Sequence, residues 1–194
     1  MKISGTVLAA GKSSRMGCNK LLLPYKEHTI IEEVLLRISN ADLEEIMIIT
    51  GFERARVEGV VRKKFGNRFK MVYNDIYNMG RAESIKRAVE NVPGDIDALL
   101  FIVGDKPTVK SDLINRAIDE FKRKSPSILY IMTPEGRGHP IIFAKKLFGE
   151  LLELSGDTVG NELIEKYEND AIELIDDDIQ VDINTPGDYE ELTG

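Results

Sequence analysis

Ile3-Ser4-Gly5-Thr6-Val7-Leu8-Ala9 runs into Ala10-Gly11-Lys12-Ser13-Ser14-Arg15-Met16-Gly17-Cys18-Asn19-Lys20. A short apolar run that breaks into glycine, serine and cations reads as a strand followed by a loop. The same order recurs down the chain. Residues 29–39 set Ile30, Ile31, Val34, Leu35 and Ile38 at helical spacing behind Thr29 as N-cap. Residues 45–50 hold Ile46-Met47-Ile48-Ile49, a buried strand ended by Gly51. A charged helix is expected over 53–65, a strand over 69–73, and a helix over 82–92 stopped by Pro93-Gly94. Ala98-Leu99-Leu100-Phe101-Ile102-Val103 is the most apolar run and reads as a central strand. Beyond it come a helix over 111–124 with Ser111 as its cap, strands over 128–132 and 140–144, and helices over 145–154 and 161–167. Short strands are expected over 171–175 and 179–183, then a last helix starting near Pro186. Such alternation predicts an α/β sandwich around a largely parallel sheet. Ligands in these sheets lie beyond the carboxyl ends of the strands. That singles out the loops over 10–20, 74–84, 104–107 and 182–186.

The 194 residues suit a single domain, 1–194, large enough to bury a full core. Its 26 Lys plus Arg against 33 Asp plus Glu leave a net charge of −7, which argues against a nucleic-acid coat or a polybasic membrane binder. An apolar fraction of 42% with 30% charged residues is that of a globular, not a disordered, chain. The one cysteine, Cys18, excludes an internal disulfide and a cysteine-built zinc site. No run approaches the roughly 20 apolar residues of a membrane span. The start, Met1-Lys2-Ile3-Ser4-Gly5, does not read as a signal peptide, so the expected compartment is the cytoplasm.

In the first loop, small residues let the backbone approach a ligand, and successive N–H groups can cradle phosphate oxygens. Lys12, Arg15 and Lys20 add three cations, a set suited to a triphosphate. The alternative is a solvated loop with ordinary lysines. The spacing is neither a P-loop, since Cys18 follows Gly17, nor a dinucleotide fingerprint.

Here the pattern becomes specific. Leu8-Ala9-Ala10-Gly11-x-Ser13-x-Arg15-Met16-Gly17-x-x-Lys20-Leu21-Leu22-Leu23-Pro24 resembles the signature of the nucleotidyltransferases that finish the molybdenum cofactor, the MobA/MocA-like family. The resemblance extends from Val7 to Tyr189. It implies a Rossmann-like three-layer sandwich with a mostly parallel, mixed sheet of the nucleotide-diphospho-sugar transferase type. It implies that Leu8, Ala10, Gly11, Lys12, Ser13, Ser14 and Arg15 line the nucleotide site, with Lys20 reaching the phosphates. Ala10 in place of a second glycine resembles the cytidylyltransferase branch, with CTP as donor and GTP as the alternative.

Gly104-Asp105-Lys106-Pro107 follows the central strand, where a carboxylate can hold Mg²⁺ together with substrate phosphates. A plain turn is the alternative. The family's G-D-x-P at this place implies a Mg²⁺ ligand, Asp105. Asp182-Ile183-Asn184-Thr185-Pro186-Gly187-Asp188-Tyr189 resembles its D-x-x-T-P-x-D-Y segment, which implies that Asp182 joins the same metal. Locally, Thr185 and Pro186 also read as a helix cap and first turn. Asp176, Asp177 and Asp178 read as a solvated turn.

Asn74, Gly80 and Ser84 match the family's loop between the third strand and its helix, which implies nucleotide contacts for Asn74 and Ser84. Arg81 departs from that pattern, which has an apolar residue there. Ser84 can otherwise serve as an N-cap hydroxyl. Gly138-His139-Pro140 resembles the family's G-H-P and implies acceptor binding by His139, while His28 reads as structural. Gly156-Asp157-Thr158-Val159-Gly160-Asn161 matches only loosely, without the family's arginine.

The activity implied is transfer of CMP from CTP to the phosphate of a molybdopterin-type acceptor, with release of pyrophosphate. Arg15, Lys20 and Asp105 are the expected catalytic residues. Transient contact with a molybdoenzyme or its chaperone would follow. The rival readings are a guanylyltransferase, the same chemistry on a sugar or alcohol phosphate, and a nucleotide-binding module without turnover.

Overall fold

The computed structural model describes residues 1–178 and 180–194. The chain runs through β1 (Ile3–Ala9), β2 (Pro24–Tyr25), β3 (His28–Thr29), α1 (Ile30–Ile38), β4 (Ile46–Thr50), α2 (Arg54–Phe65), β5 (Lys70–Tyr73) and α3 (Arg81–Asn91). It continues through β6 (Ala98–Val103), α4 (Ser111–Lys124), β7 (Ile128–Thr133), β8 (Gly136–Ala144), α5 (Phe148–Glu153), α6 (Asn161–Lys166), β9 (Ala171–Ile175) and α7 (Pro186–Thr193). Among the described residues the strands form a seven-stranded sheet in the order β5-β4-β1-β6-β8-β7-β9, with β2 and β3 as a separate hairpin. β1 pairs in parallel with both β4 and β6, while β8 runs antiparallel to β6 and β7. This is the mixed, mostly parallel α/β sheet that the resemblance implies.

The layers follow from alternation along the strands. Leu100 and Ile102 of β6 face one way, into a core with Ile31, Val34 and Leu35 of α1 and Ile114, Ile118 and Phe121 of α4. Leu99 and Phe101 face the other way, against Ala82, Ile85 and Ala88 of α3 and Leu151 of α5. All of these side chains are essentially buried. α1 starts as its sequence dictates: Thr29 and Glu32 form a reciprocal capping box. α7 does the same through Thr185 and Asp188, with Pro186 in its first turn.

Four expectations need correction. Ser111 does not cap α4. It is the first helical residue, its hydroxyl donates to the carbonyl of Arg37 (2.9 Å), and Lys110 occupies the cap position. β8 begins at Gly136 rather than Pro140, because Gly136, Arg137 and Gly138 pair with Thr133, Met132 and Ile131 of β7. The helix expected over 145–154 is a 3-10 turn, Lys145–Leu147, followed by the short α5. Of the strand expected over 179–183, Ile179 lies outside the described residues and 180–183 form no strand. There the Gln180 side chain replaces a ladder: its Oε1 accepts from the His139 N–H (2.8 Å) and its Nε2 donates to the His139 carbonyl (2.6 Å).

Among the described residues, no helix is long and apolar enough to cross a membrane.

Candidate active site

Because β5, β4, β1 and β6 are parallel, their carboxyl ends share one edge of the sheet. Backbone bonds hold the emerging loops side by side: Phe52 N–H to Ala10 O (3.1 Å), Asn74 N–H to Thr50 O (2.8 Å) and Gly104 N–H to Leu8 O (2.9 Å). β8 runs the opposite way, so its amino end, with His139, arrives at the same edge. The result is a cleft of about 830 Å³. Leu8, Ala10, Gly11, Lys12, Ser13, Ser14, Arg15, Lys20, Ser84, Asp105, His139 and Asp182 all line it.

Asn74 does not line the cleft. It is fully buried, donates from Nδ2 to the Ser84 hydroxyl (3.0 Å) and accepts from the Ile76 N–H (3.1 Å). It therefore positions Ser84, whose own proton remains free to donate into the cleft. The backbone that carries Ser84 is constrained by Gly80, which has φ +123° and touches Gly156 so closely that an added Cβ would lie 2.2 Å from its carbonyl oxygen. This region of backbone space belongs essentially to glycine, at a cost of about 1–3 kcal/mol for other residues. Gly80→Ala is expected to lower the melting temperature by several degrees and to displace the start of α3, which a thermal melt and an amide-exchange profile of residues 77–84 would register.

The loop over 10–20 turns on itself. Ser13 takes a left-handed φ of +53° and accepts the Met16 N–H at its carbonyl (2.9 Å) and the Lys20 N–H at its hydroxyl (3.3 Å). Buried Asn19 holds the end of the loop, accepting from Leu21 N–H (3.2 Å) and donating to Phe52 O (3.3 Å). Lys12 and Arg15 are exposed, and among the described residues neither forms an ion pair. Lys12 stands 5.8 Å from the centre of the Tyr77 ring, which also lines the cleft.

Lys20 lines the cleft and is also tied to its far wall. Its ammonium forms an ion pair with Asp105, donates to Ile183 O (2.6 Å) and reaches Asn184 Oδ1 (3.4 Å). Lys106, which sequence reasoning passed over, is its counterpart: it pairs with Asp182 (3.1 Å) and donates to Gln180 O (3.2 Å). The two lysines thus tie the 180–184 segment to the end of β6. Tyr189 adds a third tie, from its hydroxyl to Pro24 O (2.7 Å), and Ile183 is buried against Tyr25 and Ile30. Only the unassigned position in Gly104-Asp105-Lys106-Pro107 hinted at Lys106.

Asp105 and Asp182 are hard oxygen donors that face one cleft, and among the described residues no third carboxylate, histidine or cysteine clusters with them. Such a pair suits Mg²⁺, which is held by one or two carboxylates and completed by water and substrate phosphates. Asp178 of the acidic run instead pairs with Lys110 on the surface (2.5 Å). Cys18 is exposed, and His28 meets Lys64 (2.6 Å), outside the cleft.

His139 is buried, with Nδ1 3.3 Å from Phe101 O. A carbonyl can only accept, so Nδ1 carries the proton and Nε2 is an acceptor. Burial, reinforced by the Lys106 charge, lowers its pKa to about 4 against the opposing pull of Asp105 and Asp182. The neutral ring cannot donate to an anion from Nε2. Arg137 and Arg81 supply positive charge on this side of the cleft. Arg81 donates to Asp157 (2.7 Å), so the two places where the chain departs from the family pattern meet each other. A histidine pKa lowered by folding means that the unfolded chain binds more protons between pH 6.5 and 4. Stability therefore falls as pH drops through that window, by on the order of 3 kcal/mol at pH 4. Denaturant melts across this range should show the slope, and His139→Gln should flatten it.

Comparison with known proteins agrees with the fold. The model of the MobA-like NTP transferase domain matches residues 5–171. Among curated proteins, the molybdenum cofactor cytidylyltransferase of Escherichia coli (strain K12) is 25% identical over 187 residues, covering 94% of this chain and 91% of that protein. Rv0371c of Mycobacterium tuberculosis H37Rv superposes with a TM-score of 0.88 at 28% identity, covering 99% of this chain and 97% of the other. A second structure of Rv0371c, in complex with manganese, gives 0.84 at 27% identity over 99% and 98%. A nucleotidyl transferase from Methanothermobacter thermautotroptrophicus gives 0.79 at 25% identity over 98% and 95%. With an edge of parallel strand ends that gathers a glycine-serine loop, its cations and two carboxylates, and with a family match across most of its length, the chain belongs to the MobA-like NTP transferase domain family.

Proposed function

We propose that this nucleotidyltransferase, a single catalytic domain over residues 1–194, moves CMP from CTP onto the phosphate of a molybdopterin-type acceptor with Mg²⁺ present. The observation that carries the reading is the convergence in one cleft of Lys12 and Arg15, free of ion pairs among the described residues, with the carboxylates of Asp105 and Asp182. The choice of acceptor and base is supported by the resemblance to the Escherichia coli cytidylyltransferase and by Ala10.

Backbone N–H groups of the 10–15 loop and the hydroxyls of Ser13 and Ser14 surround the phosphates. Lys12 and Arg15 neutralise charge that builds on the departing pyrophosphate. Lys20 lies between Asp105 and the 183–184 backbone, where it aligns the carboxylate and can reach the phosphates. The acceptor is a phosphate already ionised at neutral pH, so no general base is needed. Its oxygen forms a bond to the α-phosphorus of CTP as the bond to the β-phosphate oxygen breaks. Positioning the two phosphates in line is the protein's main contribution. Asp105 and Asp182 would hold the Mg²⁺, which when bound withdraws charge from phosphate oxygens, and the manganese complex of Rv0371c supports a divalent ion in this fold. Neutral His139 would accept a hydrogen bond from the acceptor's heterocycle, while Arg81 and Arg137 attract its phosphate.

The test is a panel of CTP, GTP, UTP and ATP assayed with molybdopterin, with and without inserted molybdenum, following pyrophosphate release. Turnover with CTP that requires Mg²⁺ supports the reading. Preference for GTP, or turnover only with a sugar phosphate, would replace the substrate assignment. No pyrophosphate with any pair would leave the binding module.

Ala10 offers a narrower test. It is buried at the base of the cleft, and a Cβ built on Gly51 would lie 2.8 Å from its methyl group. Removing that methyl loosens the backbone beside the base and leaves room for a purine. Ala10→Gly is expected to raise the GTP to CTP ratio of kcat/KM by about tenfold, the effect of one methyl in a pocket, without inverting it.

A further inference from the structure

Lys106 is buried, at 8% exposure, and among the described lysines and arginines it alone is so. A buried charge needs partners. Those of Lys106 are Asp182 Oδ1 (3.1 Å) and Gln180 O (3.2 Å). The carboxylate on which the ammonium rests is one of the two read here as metal ligands. The Asp182 side chain is 55% exposed, so its remaining oxygen surface is open, while the Lys106 side chain beside it in the cleft wall is only 9% exposed. A divalent ion on Asp182 would share that carboxylate with a cation whose buried stem cannot carry it out to water. Asp105 is likewise engaged by Lys20, but Lys20 belongs to the nucleotide loop and can turn toward phosphates. Lys106 lies three residues beyond β6, and its ammonium is held by Asp182 and Gln180 O.

We propose that Lys106 is a built-in competitor for the divalent ion at Asp182, so that metal binds well only together with the phosphates of the nucleotide. The proposal rests on Asp105 and Asp182 being the metal ligands. The nucleotide's negative charge offsets the ammonium, and the protein then takes up metal and nucleotide as a unit. Lys106 is in this sense a positioning residue, since it acts through Asp182.

The experiment is a Mn²⁺ titration of the full chain followed by the electron paramagnetic resonance signal of the free ion. It is run without nucleotide and with a non-hydrolysable CTP analogue. Lys106→Met keeps the length of the buried stem, Lys106→Gln keeps a polar head, and Lys106→Arg keeps the charge. Without nucleotide, Lys106→Met and Lys106→Gln are expected to bind Mn²⁺ about fivefold to tenfold more tightly than wild type, the size of a partly exposed ion pair. Lys106→Arg should stay near wild type, and the coupling between Mn²⁺ and the analogue should shrink in the neutral variants. Unchanged or weaker Mn²⁺ binding in the folded neutral variants overturns the proposal, as does equal behaviour of the Arg and neutral variants. Asp105→Asn and Asp182→Asn separate the two levels. If neither weakens Mn²⁺ binding in the presence of the analogue, the metal assignment fails as well. If they do weaken it while the Lys106 variants change nothing, only the competitor role is lost.

Discussion

Asp105→Asn is expected to lower kcat by about 10²-fold or more, the usual loss for one group that stabilises transition-state charge, while the protein stays folded. Asp105 lies two residues beyond Val103, the last residue of the central strand, in a cleft wall fixed by the Gly104 N–H to Leu8 O bond. Asparagine has nearly the same shape and keeps an oxygen for the Lys20 ammonium, so the ties of Lys20 to Ile183 and Asn184 can persist. What asparagine lacks is the negative charge and the second hard oxygen that a Mg²⁺ ligand requires. Pyrophosphate release at saturating Mg²⁺ and CTP, set beside a thermal melt, reads both effects. A variant with near wild-type turnover would remove Asp105 from the metal site. A variant with lost turnover and a collapsed melt would indicate a structural role instead.

Lys20→Ala is expected to lower kcat/KM by about 10²-fold or more, because it removes the cation proposed to reach the phosphates and leaves Asp105 without its partner. The side chain of Lys20 is only 13% exposed and spans two segments, the end of β6 and residues 183–184. Lys26→Ala is the control. Lys26 is exposed, has φ +54° and stands over the Tyr25 ring at 5.1 Å, with no contact to the cleft. It should remain within about twofold of wild type, as is usual for surface substitutions. The KM for nucleotide and the melting temperature should be measured for both variants. If the two lysines behave alike, Lys20 has no role at the phosphates and its ties to Asp105 and Ile183 are structural.

Local chemistry was enough to read several parts of the molecule from the chain alone. Ala98 to Val103 has no polar residue and could only be a strand covered on both faces, and it is. Thr29 with Glu32, and Thr185 with Asp188 behind Pro186, carry their own caps within four residues, so α1 and α7 start where they should. The glycines, serines and cations of residues 10–20 were legible as a loop beyond the first strand, and residues of that loop line the cleft. The order of strands and helices also implied that this loop and the one at Asp105 share an edge, since parallel strands align their carboxyl ends.

Packing across long stretches of chain settled the rest. The 136–139 end of β8 is polar and glycine-rich, and only pairing with β7 makes it a strand. Gln180 sits beside His139 because its amide completes hydrogen bonds 41 positions away, a partnership that no local pattern encodes. The electrostatic wiring of the cleft is of the same kind. A motif can place a lysine near phosphates, but whether its ammonium rests on a carboxylate depends on which segments the fold brings within about 3 Å, the reach of a hydrogen bond. Lys20 meets Ile183 across 163 positions and Lys106 meets Gln180 across 74, on the far side of the sheet's crossover connections. Residue types therefore announced the chemistry of the site, while the pairing of each charge waited on the sheet that juxtaposes them.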